Sequence, residues 1–243
     1  MNGQSSSKSV REKPENRLTA RQVLRFIIIL LLMPAALFVA AGRLNWAMGW
    51  VYLGVTIGSI VVSRAIALRT TPDLLRERAR FDEAEDVKSW DRLIVLLVAI
   101  LIPLATMIVA GLDDRLGWSP RLSLWLELIA LVFVVLGSAG GVWAMAVNRF
   151  FSAVVRIQKS RGHTVVTTGP YRFVRHPAYA SSILAWLATP LMLGSLWAFI
   201  PVGFLVAVLV VRTAFEDRTL RSELAGYEEY AQQTRYRLLP GVW

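Results

Sequence analysis

The stretch Leu122–Val147, LSLWLELIALVFVVLGSAGGVWAMAV, decides the fold class. A helix needs about 20 mostly apolar residues to cross a bilayer, and helical pairing is what satisfies the backbone there. Gly137, Gly140 and Gly141 leave room for a neighbouring helix to approach closely. Working outward, comparable apolar runs occur at Val23–Gly42, with Pro34 as a tolerated kink, at Trp46–Leu68, and at Leu93–Leu112, which contains Pro103. Towards the C-terminus, Ala178–Leu193 and Leu196–Val211 are separated by Gly194-Ser195. Each is short for a full crossing, so the pair reads as a helical hairpin of tilted spans. The tail Arg212–Trp243 is charged, and Glu216 to Tyr230 reads as a helix. The expected fold is an all-α integral membrane protein of about five to six transmembrane helices, four full spans plus the hairpin.

Composition agrees. The chain has 243 residues, 55% of them hydrophobic, and its mean hydropathy is +0.50. Twenty-seven bases against 17 acids give a net charge of +10. Those bases border apolar runs, so topology and anionic lipid account for them better than nucleic acid. Cysteine is absent, which excludes disulfides, thiolate catalysis and thiolate metal sites. With two histidines a histidine-rich metal centre is excluded as well, and no clustered carboxylates suggest a hard cation. Residues 1–22 read as a disordered cytoplasmic tail, residues 23–147 as the N-terminal membrane helices, and residues 148–243 as the chemically equipped region. The first apolar run lacks a small-residue cleavage site and reads as retained.

Between the spans, Trp46, Trp50 and Tyr52 are placed for an outer aromatic belt. The connector Arg69–Asp91 suits either a surface helix or a solvated loop. Basic residues gather before the first span, between the second and third, and between the fourth and fifth. By the positive-inside rule both termini and the segment Asn148–Pro177 face the cytoplasm, in what is expected to be a prokaryotic inner membrane.

On that face three polar elements converge: Arg156–Val166, which holds Gln158 and His163; Gly169–Tyr179, which reads Gly-Pro-Tyr-Arg-Phe-Val-Arg-His-Pro-Ala-Tyr; and Arg212–Asp217. Gly169-Pro170 signals a turn and Pro177 a first helical turn, with His176 held out of the helix. Arg212 and Glu216, four apart, share a helix face. Each feature has an ordinary explanation: topology charges for Arg172 and Arg175, belt aromatics for Tyr171 and Tyr179, a helix-end ion pair for Arg212 and Glu216, and a charged surface face for Asp217 to Glu229. Those explanations leave unexplained why both histidines lie on the same face.

The Gly169–Tyr179 stretch, preceded by Gly162-His163-Thr164-Val165-Val166, resembles the signature of the isoprenylcysteine carboxyl methyltransferase family and its phospholipid-methyltransferase relatives. Glu216-Asp217, Leu220, Tyr227, Tyr230 and Arg235–Pro240 resemble the family's C-terminal block, with Asp217 where a second glutamate is common and Arg235-Tyr236-Arg237 in place of Arg-Val-Pro-Arg. The resemblance implies a membrane enzyme that uses S-adenosylmethionine, without a Rossmann domain, to methylate a lipophilic acceptor. By the same resemblance Gln158, His163, Thr164, Val165, Val166, Gly169, Tyr171, Arg175, His176, Pro177, Tyr179 and Glu216 would hold the cofactor in a cytoplasmic pocket. Arg212 and Glu216 would be catalytic, Arg212 orienting a carboxylate acceptor, and no metal is implied. The alternatives are an amine or phospholipid N-methyltransferase, a sterol-reductase-like enzyme using NADPH, and a non-enzymatic scaffold.

Overall fold

The computed structural model describes residues 20–70 and 87–243, and every regular element among them is helical. The expected N-terminal tail and most of the connector after the second span lie outside the described residues. Four helical stretches, Ala47–Arg69, Ser89–Leu116, Leu124–Val147 and Phe199–Glu223, are long and apolar enough to cross a membrane. The chain is an all-α integral membrane protein. Its outward faces carry large apolar side chains such as Val61, Trp125, Ile129 and Phe204, which suit lipid and would be costly in water.

Helix α1, Ala20–Ala41, contains Pro34 and ends at Gly42, whose φ of 66° supplies a left-handed cap. Helix α2 is Ala47–Thr70. Its expected aromatic belt is only partly built. Trp50 is exposed, whereas Trp46 and Tyr52 are buried in the main core beside Leu37, Phe38, Met107 and Met192. Neighbouring helices take up those two rings before lipid headgroups can.

The third span begins earlier than the hydropathy suggests. Helix α3, Ser89–Leu96, leads through a π turn, Leu97–Leu101, into α4, Ile102–Leu116. The wide turn sits just before Pro103, which has no N–H to return to the preceding turn and whose ring crowds it. Asp91, the last residue of the expected connector, lies inside α3 and is fully buried. At the other end Asp113 accepts hydrogen bonds from the Ser119 backbone, the Ser119 hydroxyl and the Ser195 hydroxyl at 2.6–2.7 Å. This buried carboxylate pins the end of α4 to the turn between the last two long helices.

Helix α5, Leu124–Val147, is N-capped by Ser123 and packs along α6, Pro177–Met192. A Cβ on Gly137 would lie 2.6 Å from the Ser181 carbonyl oxygen, and one on Gly140 would lie 2.5 Å from the Ser181 hydroxyl. Glycine is therefore what lets these two backbones touch. Gly141 has open space beside it and plays no part in that contact.

The expected hairpin is unequal. Its first limb, α6, has 16 residues, but its second, α7, runs unbroken over 25 residues, Phe199–Glu223. The helix continues past Val211 because Arg212, Thr213 and Asp217 are buried against partners, not released into solvent. The expected helix Glu216 to Tyr230 is broken at Gly226, φ 80°, and resumes as α8, Tyr227–Gln233. A small core of Leu224, Tyr227, Tyr230 and Ala231 clamps α8 onto Ile157 and Val165.

Candidate active site

Between α5 and α6 the chain makes a compact irregular excursion, held by its own polar groups. Asn148 accepts from the Phe150 N–H at 2.9 Å and donates to the Tyr171 hydroxyl at 3.1 Å. Gln158 donates to the Phe150 carbonyl at 2.7 Å and accepts from Arg161. The Gln158 N–H donates to Nδ1 of His163 at 3.3 Å, while the His163 ring lies 4.5 Å from that of Phe150. Gly169 opens the 3-10 turn Gly169–Arg172 at φ 59°, and a Cβ there would stand 2.9 Å from Val147. No other residue satisfies both the left-handed backbone and that contact without strain.

His163 accepts at Nδ1, so the neutral ring carries its proton on Nε2. Burial first, and the Arg161 cation second, pull its pKa from 6.5 down to about 4. The unfolded chain takes up this proton from about pH 6.5 downward, whereas the folded chain resists until about pH 4. Stability contributed by the neutral ring is therefore intact above pH 6.5 and lost as pH falls towards 4. Thermal melting of the wild type and of His163→Gln from pH 8 to 4 should show the two curves drawing together or crossing in that window. A constant offset between them would contradict this reading.

The Arg175-His176-Pro177 segment is anchored from the opposite side. Arg175 N–H and His176 N–H each donate at 2.9 Å to the carbonyls of Tyr236 and Arg237. The Arg175 guanidinium grips both oxygens of Asp217 at 2.7 and 3.1 Å and donates to the carbonyls of Thr234 and Arg235. Asp217 also accepts from Arg237 at 2.9 Å, from the Tyr227 hydroxyl at 3.1 Å and from Arg221 at 3.3 Å, with His176 Nε2 at 3.4 Å. Asp217 is a buried hub joining α6, α7, α8 and the C-terminal segment, so the charged-surface explanation for it is wrong. Burial, and then the neighbouring carboxylates, push the Tyr227 phenol well above its usual range; Tyr230 is raised to about 12, chiefly by burial. Both stay protonated donors at neutral pH.

These elements enclose a cavity of about 310 Å³, within the usual range for small-molecule sites. His163–Val166, Tyr171, Arg175–Pro177, Tyr179, Arg212 and Glu216 line it, together with Val95 and Val98 from the third span. Gln158 and Gly169 sit outside the lining, where they shape the loop. Arg172 is exposed and lies over the Phe173 ring, apart from the cavity. The Tyr179 hydroxyl donates to Oε2 of Glu216, and the His176 and Tyr179 rings stack at 5.9 Å.

Arg212 and Glu216 share a face of α7 as expected, but Arg212 is not paired with Glu216. It donates to both oxygens of Asp91 at 2.9 and 3.1 Å and to the Ala153 carbonyl at 2.9 Å. Sequence reasoning missed Asp91, Asn148 and the structural weight of Asp217. The one signal for Asp91 was a carboxylate at the head of an otherwise apolar run, and Arg92 beside it masked that signal.

A sequence model of the isoprenylcysteine carboxyl methyltransferase (ICMT) family matches residues 128–222. The mouse protein-S-isoprenylcysteine O-methyltransferase is 34% identical over 102 residues, which are 42% of this chain and 34% of that protein. The cobalt-zinc-cadmium resistance protein CzcN of Cupriavidus metallidurans is 35% identical over 97 residues, 39% of this chain and 44% of that one. Protein-S-isoprenylcysteine O-methyltransferase B of Arabidopsis thaliana is 26% identical over 117 residues, 45% of this chain and 57% of that protein. The matched part thus spans between a third and somewhat over half of these relatives. Among the described residues, no group of three or more His, Asp or Glu side chains could hold a metal ion. The matched segment carries most of α5, the loop, α6 and nearly all of α7, so the similarity to the isoprenylcysteine carboxyl methyltransferase family lies in the elements that build the cavity.

Proposed function

We propose that this protein is a membrane methyltransferase that moves the methyl group of S-adenosylmethionine to a lipophilic acceptor, a carboxylate of the isoprenylcysteine type. The observation that carries the reading is one cavity in which Tyr179, Arg212 and Glu216 meet the His163–Val166 and Arg175–Pro177 segments. The donor set fits the cofactor. Oε1 of Glu216 is left for a hydroxyl or ammonium while Oε2 accepts the Tyr179 hydrogen bond. Phe150, Tyr171 and Tyr230 bring aromatic edges and faces to the same cavity for a purine.

When bound, the cofactor supplies an already electrophilic methyl, so the protein needs only to align donor and nucleophile and exclude water. Glu216, oriented by Tyr179, fixes the donor. Arg212 orients a carboxylate acceptor, which is ionised near neutral pH and needs no general base. Val95, Val98 and Leu220 keep the site dry.

A second cavity of about 330 Å³ lies among α2, α5 and α6 and shares the wall residues Phe151 and Ala178 with the first. It gives the apolar part of an acceptor a place within the helices. In this reading residues 148–243 form the methyltransferase region on the cytoplasmic side, residues 23–147 complete the membrane domain, and both termini are cytoplasmic. The test is methyl transfer: purified protein, labelled S-adenosylmethionine and either N-acetyl-S-farnesylcysteine or a lipid extract, with the product identified by mass spectrometry. A base-labile methyl ester is expected. An N-methylated lipid would move the acceptor class to amines, and no transfer to either would contradict the proposal.

A further inference from the structure

We propose that Asp91 is a positioning residue for the methyl acceptor: it fixes the Arg212 guanidinium so that one nitrogen, Nη1, is left for the acceptor carboxylate, and it offsets most of the charge that the carboxylate would meet. The proposal rests on the methyltransferase reading above. Asp91 lies 37 residues before the family-matched segment (128 − 91 = 37), so the match itself assigns it nothing.

The geometry is specific. Asp91 is fully buried and Arg212 nearly so. Arg212 Nε and Nη2 face the carboxylate side-on, and Nη2 also donates to Ala153. Asp91 Oδ2 accepts in addition from the Val155 N–H at 2.7 Å, and the Lys88 N–H returns a bond to the Val155 carbonyl at 3.3 Å. The start of α3 is thereby sewn to the cavity wall at Ala153–Val155. Trp90 packs edge-on against Phe215 at 5.2 Å and holds α3 against α7. Arg212 also lies over the Tyr179 ring at 5.5 Å. Asp91, the Ala153 carbonyl and the Tyr179 ring therefore fix the plane of the guanidinium, and among the described residues Nη1 is its one nitrogen without a hydrogen-bond partner.

The chemistry gives this arrangement a purpose. In methyl transfer from a sulfonium to a carboxylate, one C–S bond breaks and one C–O bond forms, and a cation and an anion become two neutral groups. A bare, mobile arginine would stabilise the anionic ground state more than the charge-depleted transition state, tightening acceptor binding while slowing the step. An arginine already paired with Asp91 keeps its directional N–H bonds but exerts a weaker field.

Asp91→Asn tests this with little change of shape. Against N-acetyl-S-farnesylcysteine, kcat should fall at least tenfold while the acceptor KM stays unchanged or decreases. S-adenosylhomocysteine affinity by calorimetry should stay within twofold. In an Arg212→Ala background the same substitution should change kcat/KM less than twofold. If Asp91→Asn does not fold, Arg212→Lys serves instead: it keeps a cation for Asp91 but offers no second nitrogen, and its acceptor KM should rise at least tenfold. Unchanged kcat in Asp91→Asn, equal losses in the Arg212→Ala background, or an unchanged KM in Arg212→Lys would overturn the proposal with the methyltransferase reading intact. A wild type that transfers no methyl group would overturn both.

Discussion

Asp217→Ala is expected to destabilise the protein by about 3–5 kcal/mol, the usual cost of stranding a buried charge. The side chains of Asp217 and Arg175 are 1% and 2% exposed, so neither solvent nor movement can rescue Arg175 when its carboxylate goes. Arg237, Tyr227 and His176 lose the same partner, which unfastens the C-terminal segment from the Arg175-His176-Pro177 corner. The melting temperature in detergent should fall by roughly 6–20 °C, at about 2–4 °C per kcal/mol for a chain of this size. Glu228→Ala is the matched control: its ion pair with Arg221 is exposed, and surface pairs contribute about 0–1 kcal/mol. A drop for Asp217→Ala no larger than the control's would show that the hub does not hold the corner.

Glu216→Gln has the largest expected effect on ligand binding. The substitution keeps the shape beside Tyr179 and removes the charge. A hydrogen bond to a charged group contributes about 1.5–3 kcal/mol, so S-adenosylhomocysteine should bind roughly 10- to 150-fold more weakly. Tyr179→Phe, which leaves the carboxylate in place but unoriented, should cost less, about tenfold at most. Ligand-free melting of Glu216→Gln should stay close to wild type, because Glu216 is half-buried and not part of the Asp217 hub. Equal affinity in wild type and Glu216→Gln would remove Glu216 from the cofactor site.

The spans from α2 to α5 were legible because each is a long apolar run, and membrane crossing is mostly a matter of length and hydropathy. The full length of α7 was not, because hydropathy counts Arg212 and Asp217 as an exit into water. What keeps them buried are partners 121 and 42 residues away, Asp91 and Arg175. Pairings of that range leave no periodic trace in the chain. Trp46 and Tyr52 have the composition of interface residues, and only the packing of α1, α4 and α6 takes them into the core. The Gly169–Tyr179 corner stood out in the sequence as a polar anomaly, since turn residues, an arginine and a histidine crowd a membrane boundary at some cost. Its internal division of labour was not. Gly169 and Gln158 shape the loop, Arg175 is consumed by Asp217, and His176, Tyr179 and Glu216 are left facing the cavity.

The most direct measurement is calorimetric titration of S-adenosylhomocysteine into the purified wild-type protein in detergent, with NADPH titrated in parallel. The predicted result is saturable one-to-one binding of S-adenosylhomocysteine and no heat from NADPH. Saturable binding of NADPH with none of S-adenosylhomocysteine would contradict the assignment of this cavity to a methyl donor.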